Sequence, residues 1–286
     1  MAFCELKYFS PALQKATAAN IILPETALEG PFPVLYLLHG LSDDHTIWHR
    51  RTSIERYVQD LPLIVVMPDT GRGFYTDAKE GMAWESAIVR DLVNYVDKMF
   101  PTIQARRGRC LAGLSMGGYG AVKLALKHPD LFSAAVSHSG ALEFVRKIDP
   151  TWDNYQEWVR IYGKKGVGSA DDCHALATKS DAEKRPALRI DCGVDDFLIE
   201  QNREFHAHLN SLGYDHEYEE FPGAHTWQYW DLHIQESISF LKPHIDLPQP
   251  PPTETVLLEL ETKAATKRKQ ASSKGTASKK KKYDPK

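Results

Sequence analysis

Cys110-Leu111-Ala112-Gly113-Leu114-Ser115-Met116-Gly117-Gly118-Tyr119-Gly120 decides the fold. An apolar run closes at Gly113 and a helix-compatible run opens past Ser115, so Gly-x-Ser-x-Gly stands between a strand and a helix. Upstream, Arg109 to Ala112 reads as a short buried strand. Downstream, Ala121, Val122, Leu124 and Ala125 keep a helical period until His128-Pro129-Asp130. A serine on so tight a turn needs a strained backbone with φ above zero. The residues two before and two after it crowd together, so only glycine fits at 113 and 117. The turn lifts the hydroxyl clear of the sheet and aims the free N–H groups of the next helix at developing negative charge. The five letters alone also occur in glycine-rich loops. Strand and helix on the correct sides make Ser115 a candidate nucleophile.

Moving outward, the chain alternates apolar runs with helical periods, which predicts an α/β fold with a mostly parallel sheet. Cys4–Phe9 and Thr17–Leu23 read as an antiparallel pair edging that sheet. Val34–Leu38, Leu61–Met67, Phe132–Ser137, Ala187–Cys192 and His216–Phe221 read as further strands. Trp84–Phe100, Glu200–Leu212 and Trp230–Leu241 read as amphipathic helices. Ala141 to Pro186 breaks the rhythm and carries Trp152, Tyr155, Trp158 and Tyr162. Connections of that length are usually functional. Two readings stand: a small helical cap whose rings wall a pocket, or a surface excursion packed on its own aromatics.

A serine hydroxyl needs a base to take its proton, and the base needs an orienting acid. Loops beyond the last two strands supply both. The turn after Ala187–Cys192 holds three carboxylates. Asp191 lies inside the strand, Asp195 sits early in the turn, and Asp196 adjoins the apolar pair Phe197-Leu198. Asp196 is the preferred acid, with Asp195 second. The glycine-containing loop after His216–Phe221 offers His225 as the base. Charge on a carbonyl oxygen under attack calls for two rigid N–H donors. The backbones of Leu41, after the His39-Gly40 turn, and of Met116 are assigned to them, and His39 is read as a brace for its loop. Trp152, Trp158, Trp227 and Tyr75 are candidate substrate-facing rings, and a lining role for His138 stays open. No HExxH or cysteine cluster is present, and His206 and His208 lie along an expected helix, so no metal or other cofactor is expected.

The formal net charge of −3 hides an asymmetry. Ten of the 35 basic residues and one of the 38 acids fall from Lys263 to Lys286, so the rest is strongly acidic. Residues 1–245 are expected to form the catalytic domain, with 141–186 as its cap-like insertion. Residues 246–286 are expected to be a Pro-rich spacer and a basic, disordered tail. Lys279–Lys282 could bind a polyanion non-specifically; a solvated tail is preferred over a nucleic-acid arm. Four cysteines without paired spacing suit a reducing compartment. Met1–Ala16 lacks an apolar core, and no run reaches about 18 apolar residues, so neither signal peptide nor membrane span is expected and a cytoplasmic location is. The partner expected is a small-molecule ester, and self-association is left open.

Taken together, His39-Gly40-Leu41, Tyr75-Thr76-Asp77, Gly113–Gly118, Cys192–Leu198 and Phe221–Trp227 resemble the esterase D-type family, which includes S-formylglutathione hydrolases, tributyrin esterases, some feruloyl and acetylxylan esterases, and the mycolyltransferases. The resemblance covers roughly Cys4 to His244. It implies an α/β-hydrolase fold and a carboxylic-ester hydrolase using Ser115, Asp196 and His225, with the amides of Leu41 and Met116 as oxyanion donors. Eukaryotic S-formylglutathione hydrolases carry a cysteine just after the His-Gly-like turn, where this chain has Leu41-Ser42-Asp43-Asp44. Glu5–Ser10 looks more like the tributyrin-esterase branch. The expectation is therefore a serine carboxylesterase for short-chain or small aromatic acyl esters, with S-formylglutathione hydrolysis as the alternative.

Overall fold

Eight strands form one sheet in the spatial order β1-β2-β4-β3-β5-β6-β7-β8. They are β1 (Ala2–Ser10), β2 (Lys15–Leu23), β3 (Val34–Leu38), β4 (Ile64–Pro68), β5 (Arg109–Leu114), β6 (Ala134–His138), β7 (Ala187–Gly193) and β8 (Glu217–Phe221). The structure is a computed structural model that describes residues 1–26 and 28–248. Met1–Pro248 is one compact unit. The basic tail and most of the expected spacer lie outside the described residues.

β1 and β2 pair antiparallel, and β2 joins β4 antiparallel. Every pairing from β4 through β8 is parallel. The central strands β3, β4, β5 and β6 are buried at every position. That is why β3 and β4 read as unbroken apolar runs instead of alternating ones. The period of two still sorts their side chains: Val34, Tyr36 and Leu38 enter one core, and Leu35 and Leu37 the other. The outermost described strands differ. β8, Glu-Tyr-Glu-Glu-Phe, is buried nowhere and presents Glu217, Glu219 and Glu220 at the sheet's border.

Helices cover both faces. Met116–Lys127 and Ile199–Ser211 pack on the first core. So does a helix that runs as Trp84–Ser86, takes π pitch over Ala87–Leu92 and continues as Val93–Met99. Trp227–Leu241 covers the second core with two short helices, Ile47–Arg51 and Ile54–Val58. Those two were not expected, because five residues are too few to show a helical period. The closing helix begins at Trp227, three residues earlier than expected, with the Thr226 hydroxyl accepting from the Tyr229 N–H at 3.5 Å.

The 141–186 segment contains helices Tyr155–Tyr162 and Cys173–Lys179. Its rings pack on one another and on Phe74, which lies outside it. Phe74, from the loop after β4, stacks on Phe144 at 4.4 Å and meets Trp158 edge-on at 5.3 Å and Tyr162 at 5.9 Å. Because β3 and β5–β8 run parallel, the loops leaving them gather at one edge of the sheet, where open α/β folds place their sites. No helix among the described residues is long and apolar enough to cross a membrane.

Candidate active site

Ser115 stands at φ 52°, ψ −117°, a conformation rarely held by a side-chain-bearing residue. A Cβ on Gly117 would overlap the Leu38 carbonyl, and one on Gly113 would overlap the carbonyl of Gly117. Two missing side chains therefore let β3, β5 and the following helix close on one another. The turn is pinned by the Ser115 N–H on the His138 carbonyl at 2.9 Å and by the Ala141 N–H on the Ser115 carbonyl at 3.1 Å. The Ser115 hydroxyl is half-buried and has no hydrogen-bond partner among the described residues. Hydrogen bonds of this kind are often open without substrate.

His225 follows β8, and Asp196 follows β7, on the same sheet edge. His225 Nδ1 lies 2.9 Å from Asp196 Oδ2 and 3.1 Å from Oδ1. The buried Asp196 also accepts the Leu198 N–H at 2.8 Å. Burial alone would raise its carboxyl pKa, but the bonds from His225 and Leu198 outweigh it, and the net shift is downward. Asp195 points to solvent, its N–H spent on the Gly223 carbonyl at 2.9 Å. The imidazole of His225 is boxed by rings. Trp230 meets it edge-on at 4.8 Å, and Phe197, 76% exposed, lies 4.5 Å away. Trp227 is half-buried between Trp48 and Trp230.

The His39-Gly40-Leu41 turn adjoins the elbow, since Gly117 nests on the carbonyls of Leu38 and His39. Among the described residues neither the Leu41 nor the Met116 N–H has a hydrogen-bond partner. His39 braces this turn. Its Nε2 accepts the Thr70 N–H at 3.1 Å, so Nδ1 carries the proton and donates to the Gly40 carbonyl at 2.7 Å. Burial, the largest influence, lowers its pKa and keeps it neutral.

Some expected residues are placed elsewhere. Tyr75 and Trp158 are 0% and 1% exposed, so neither offers a face to an open pocket; their rings fill the core beneath the elbow helix and the insertion. Gly120 explains Tyr75, because any Cβ there would overlap its ring. Trp152 is 37% exposed and rests on Phe144 at 5.7 Å. His138 lines nothing: it is buried between Asp191 at 2.8 Å and Ser237 at 2.7 Å. Sequence reasoning missed Lys123. Its ammonium, fully buried on the elbow helix, donates to the Tyr75 carbonyl at 2.6 Å and the Thr76 hydroxyl at 2.9 Å, and pairs with Glu85 at 3.0 Å and Asp171 at 3.3 Å. The available signal was a lysine inside an otherwise apolar helical run. No group of three or more His, Cys, Asp or Glu side chains suited to a metal occurs among the described residues.

An unpartnered hydroxyl on a strained turn, an imidazole held by a carboxylate and two unpaired N–H groups can together carry out acyl transfer. The family model described as "Putative esterase" matches residues 10–241. An acetyl esterase of Caldicellulosiruptor saccharolyticus is 30% identical over 262 residues, covering 84% of this chain and 98% of that protein. Among solved structures, the substrate-bound fluorophosphonate-binding serine hydrolase F of Staphylococcus aureus superposes with a TM-score of 0.78 at 34% identity, over 84% of this chain and 98% of its own. The S-formylglutathione hydrolase of Staphylococcus aureus gives a TM-score of 0.76 at 34% identity with the same coverage.

Proposed function

The chain belongs to this esterase family and is a carboxylic-ester hydrolase of α/β-hydrolase type, and from that premise we propose a serine esterase for short-chain or small aromatic acyl esters, with Ser115 as nucleophile, His225 as general base and acid, and Asp196 orienting His225. The observation that carries this reading is the His225–Asp196 bond of 2.9 Å on the sheet edge that also bears the strained Ser115.

Ser115 Oγ attacks the ester carbonyl carbon, and its proton passes to His225 Nε2. The C=O electron pair moves onto oxygen, where the N–H groups of Leu41 and Met116 receive it. Asp196, kept ionised by its hydrogen bonds, holds the imidazole in the tautomer that can accept at Nε2 and steadies the imidazolium. Collapse breaks the C–O bond, and the leaving alkoxide takes the proton from His225. Water then repeats the sequence on the acyl-serine and returns the free enzyme and the acid.

Phe197 and Trp227 near His225 give flat, stiff walls that suit short or planar acyl groups better than long flexible ones. Along p-nitrophenyl esters, kcat/KM should rise from acetyl to about butyryl, by up to ~1 kcal/mol per methylene, and then decline. A maximum at decanoyl would overturn the short-acyl reading. Ser115→Ala should cut turnover of p-nitrophenyl acetate by about a thousandfold or more with the fold intact. Retention of over a tenth of wild-type turnover would remove Ser115 as the nucleophile. A second reading, thioester hydrolysis, draws on the likeness to the S-formylglutathione hydrolase; S-formylglutathione belongs in the same panel. The four free cysteines, three of them buried, suit a reducing compartment, and we place the enzyme in the cytoplasm on that ground.

A further inference from the structure

We propose that Tyr75 is a positioning residue of the oxyanion pocket, acting through the backbone of His39 to fix the Leu41 N–H. This rests on the reading of Leu41 and Met116 as the oxyanion donors. Three successive carbonyls lead up to Leu41, and each is held by a different side chain. The Trp48 indole N–H donates to Leu38 O at 3.0 Å, the Tyr75 hydroxyl to His39 O at 2.9 Å, and His39 Nδ1–H to Gly40 O at 2.7 Å. In a trans peptide the C=O and N–H point in opposite directions. Drawing the Gly40 carbonyl toward His39 therefore turns the Leu41 N–H the other way, where it has no partner among the described residues.

Tyr75 can do this only because it is itself clamped. Phe74 and Tyr75 both sit at positive φ, 48° and 52°, which side-chain-bearing residues rarely adopt. The Lys123 ammonium holds the Tyr75 carbonyl, the Thr76 hydroxyl takes a second N–H, and Glu85 and Asp171 balance the buried charge. The Tyr75 ring fills the space left by Gly120. Lys123 and Gly120 belong to the helix whose first residue is Met116. One rigid element thus carries one donor directly and governs the other through Lys123, Tyr75 and His39. A donor that cannot turn away is what separates stabilising a transition state from merely binding an ester.

The test is Tyr75→Phe in the full chain, which deletes one hydroxyl and leaves the ring. With p-nitrophenyl butyrate, kcat should fall about tenfold, less than the ~10²–10³ lost with a direct donor. KM should stay within about twofold, and the Ki of a trifluoromethyl ketone, which binds as its oxyanion adduct, should weaken by the same factor as kcat. A merely structural hydroxyl would lower the Tm and leave kcat and Ki of the folded enzyme at wild-type values, and that result overturns the proposal. So does a rise in KM alone. Ser115→Ala, assayed beside it, keeps the two readings apart. If Ser115→Ala is inactive and Tyr75→Phe is unchanged, only the positioning role fails; if Ser115→Ala stays active, the esterase assignment fails first.

Discussion

His225 meets Asp196 and not its neighbour because of where each backbone N–H is spent. The Asp196 N–H turns back to the Gly193 carbonyl at 3.0 Å, which tucks its side chain under the loop, while Asp195 faces outward. Asp196→Asn should lower kcat by about 10³–10⁴, and Asp195→Asn should stay within about twofold; steady-state kinetics on p-nitrophenyl acetate reads both. The reverse order would exchange the two assignments. Ser115, Asp196 and His225 were legible because each sits just beyond a strand that announces itself as an apolar run. Tyr75 was not. Its loop lies at the site-bearing end of the sheet, so an outward ring was the natural reading. Only the packed structure shows that the empty space at Gly120 draws the ring inward.

Whole elements were legible where their period ran long enough. All eight strands and the long helices fall within a few residues of their expected bounds. The insertion was not, because its cohesion comes from contacts far apart in sequence, such as Phe74 on Phe144. Charge also ties it down. Glu143 pairs with His174 at 2.6 Å and with Lys147 at 3.0 Å. Burial works to raise its carboxyl pKa, but these partners prevail and draw it from 4.5 to about 2. With the folded pKa depressed, its contribution is present above 4.5 and is lost as the pH falls from there toward about 2. Urea midpoints at pH 5 and 3 should show the wild type losing more stability than Glu143→Gln, by about 2 kcal/mol at most. Equal losses would remove Glu143 from the acid response. At the elbow, Gly117→Ala would force β3 off the helix; a loss of about 3 kcal/mol or more, read as a Tm fall of roughly 6–12 °C, is expected.

For the molecule as a whole, the acidic body and the basic C-terminal stretch should behave independently. Deleting Thr262–Lys286 removes ten basic side chains but no run able to build a core. The Tm and the kinetics on a small neutral ester should be unchanged, and a Tm fall of several degrees would mean that the stretch docks on the body. Differential scanning calorimetry of both forms decides it. β8, finally, ends the sheet among the described residues with backbone N–H and C=O groups facing outward, an arrangement that invites another chain to add itself as a ninth strand. Glu217, Glu219 and Glu220 guard that border by repulsion, and Arg203 steadies Glu220 with two bonds of 2.8 and 2.7 Å. The guard is made of charge alone, so it can be switched off without unfolding anything. Replacing Glu219 and Glu220 together by Gln should remove the repulsion between identical borders, and the concentrated variant should begin to grow edge-to-edge ribbons while its core is still intact.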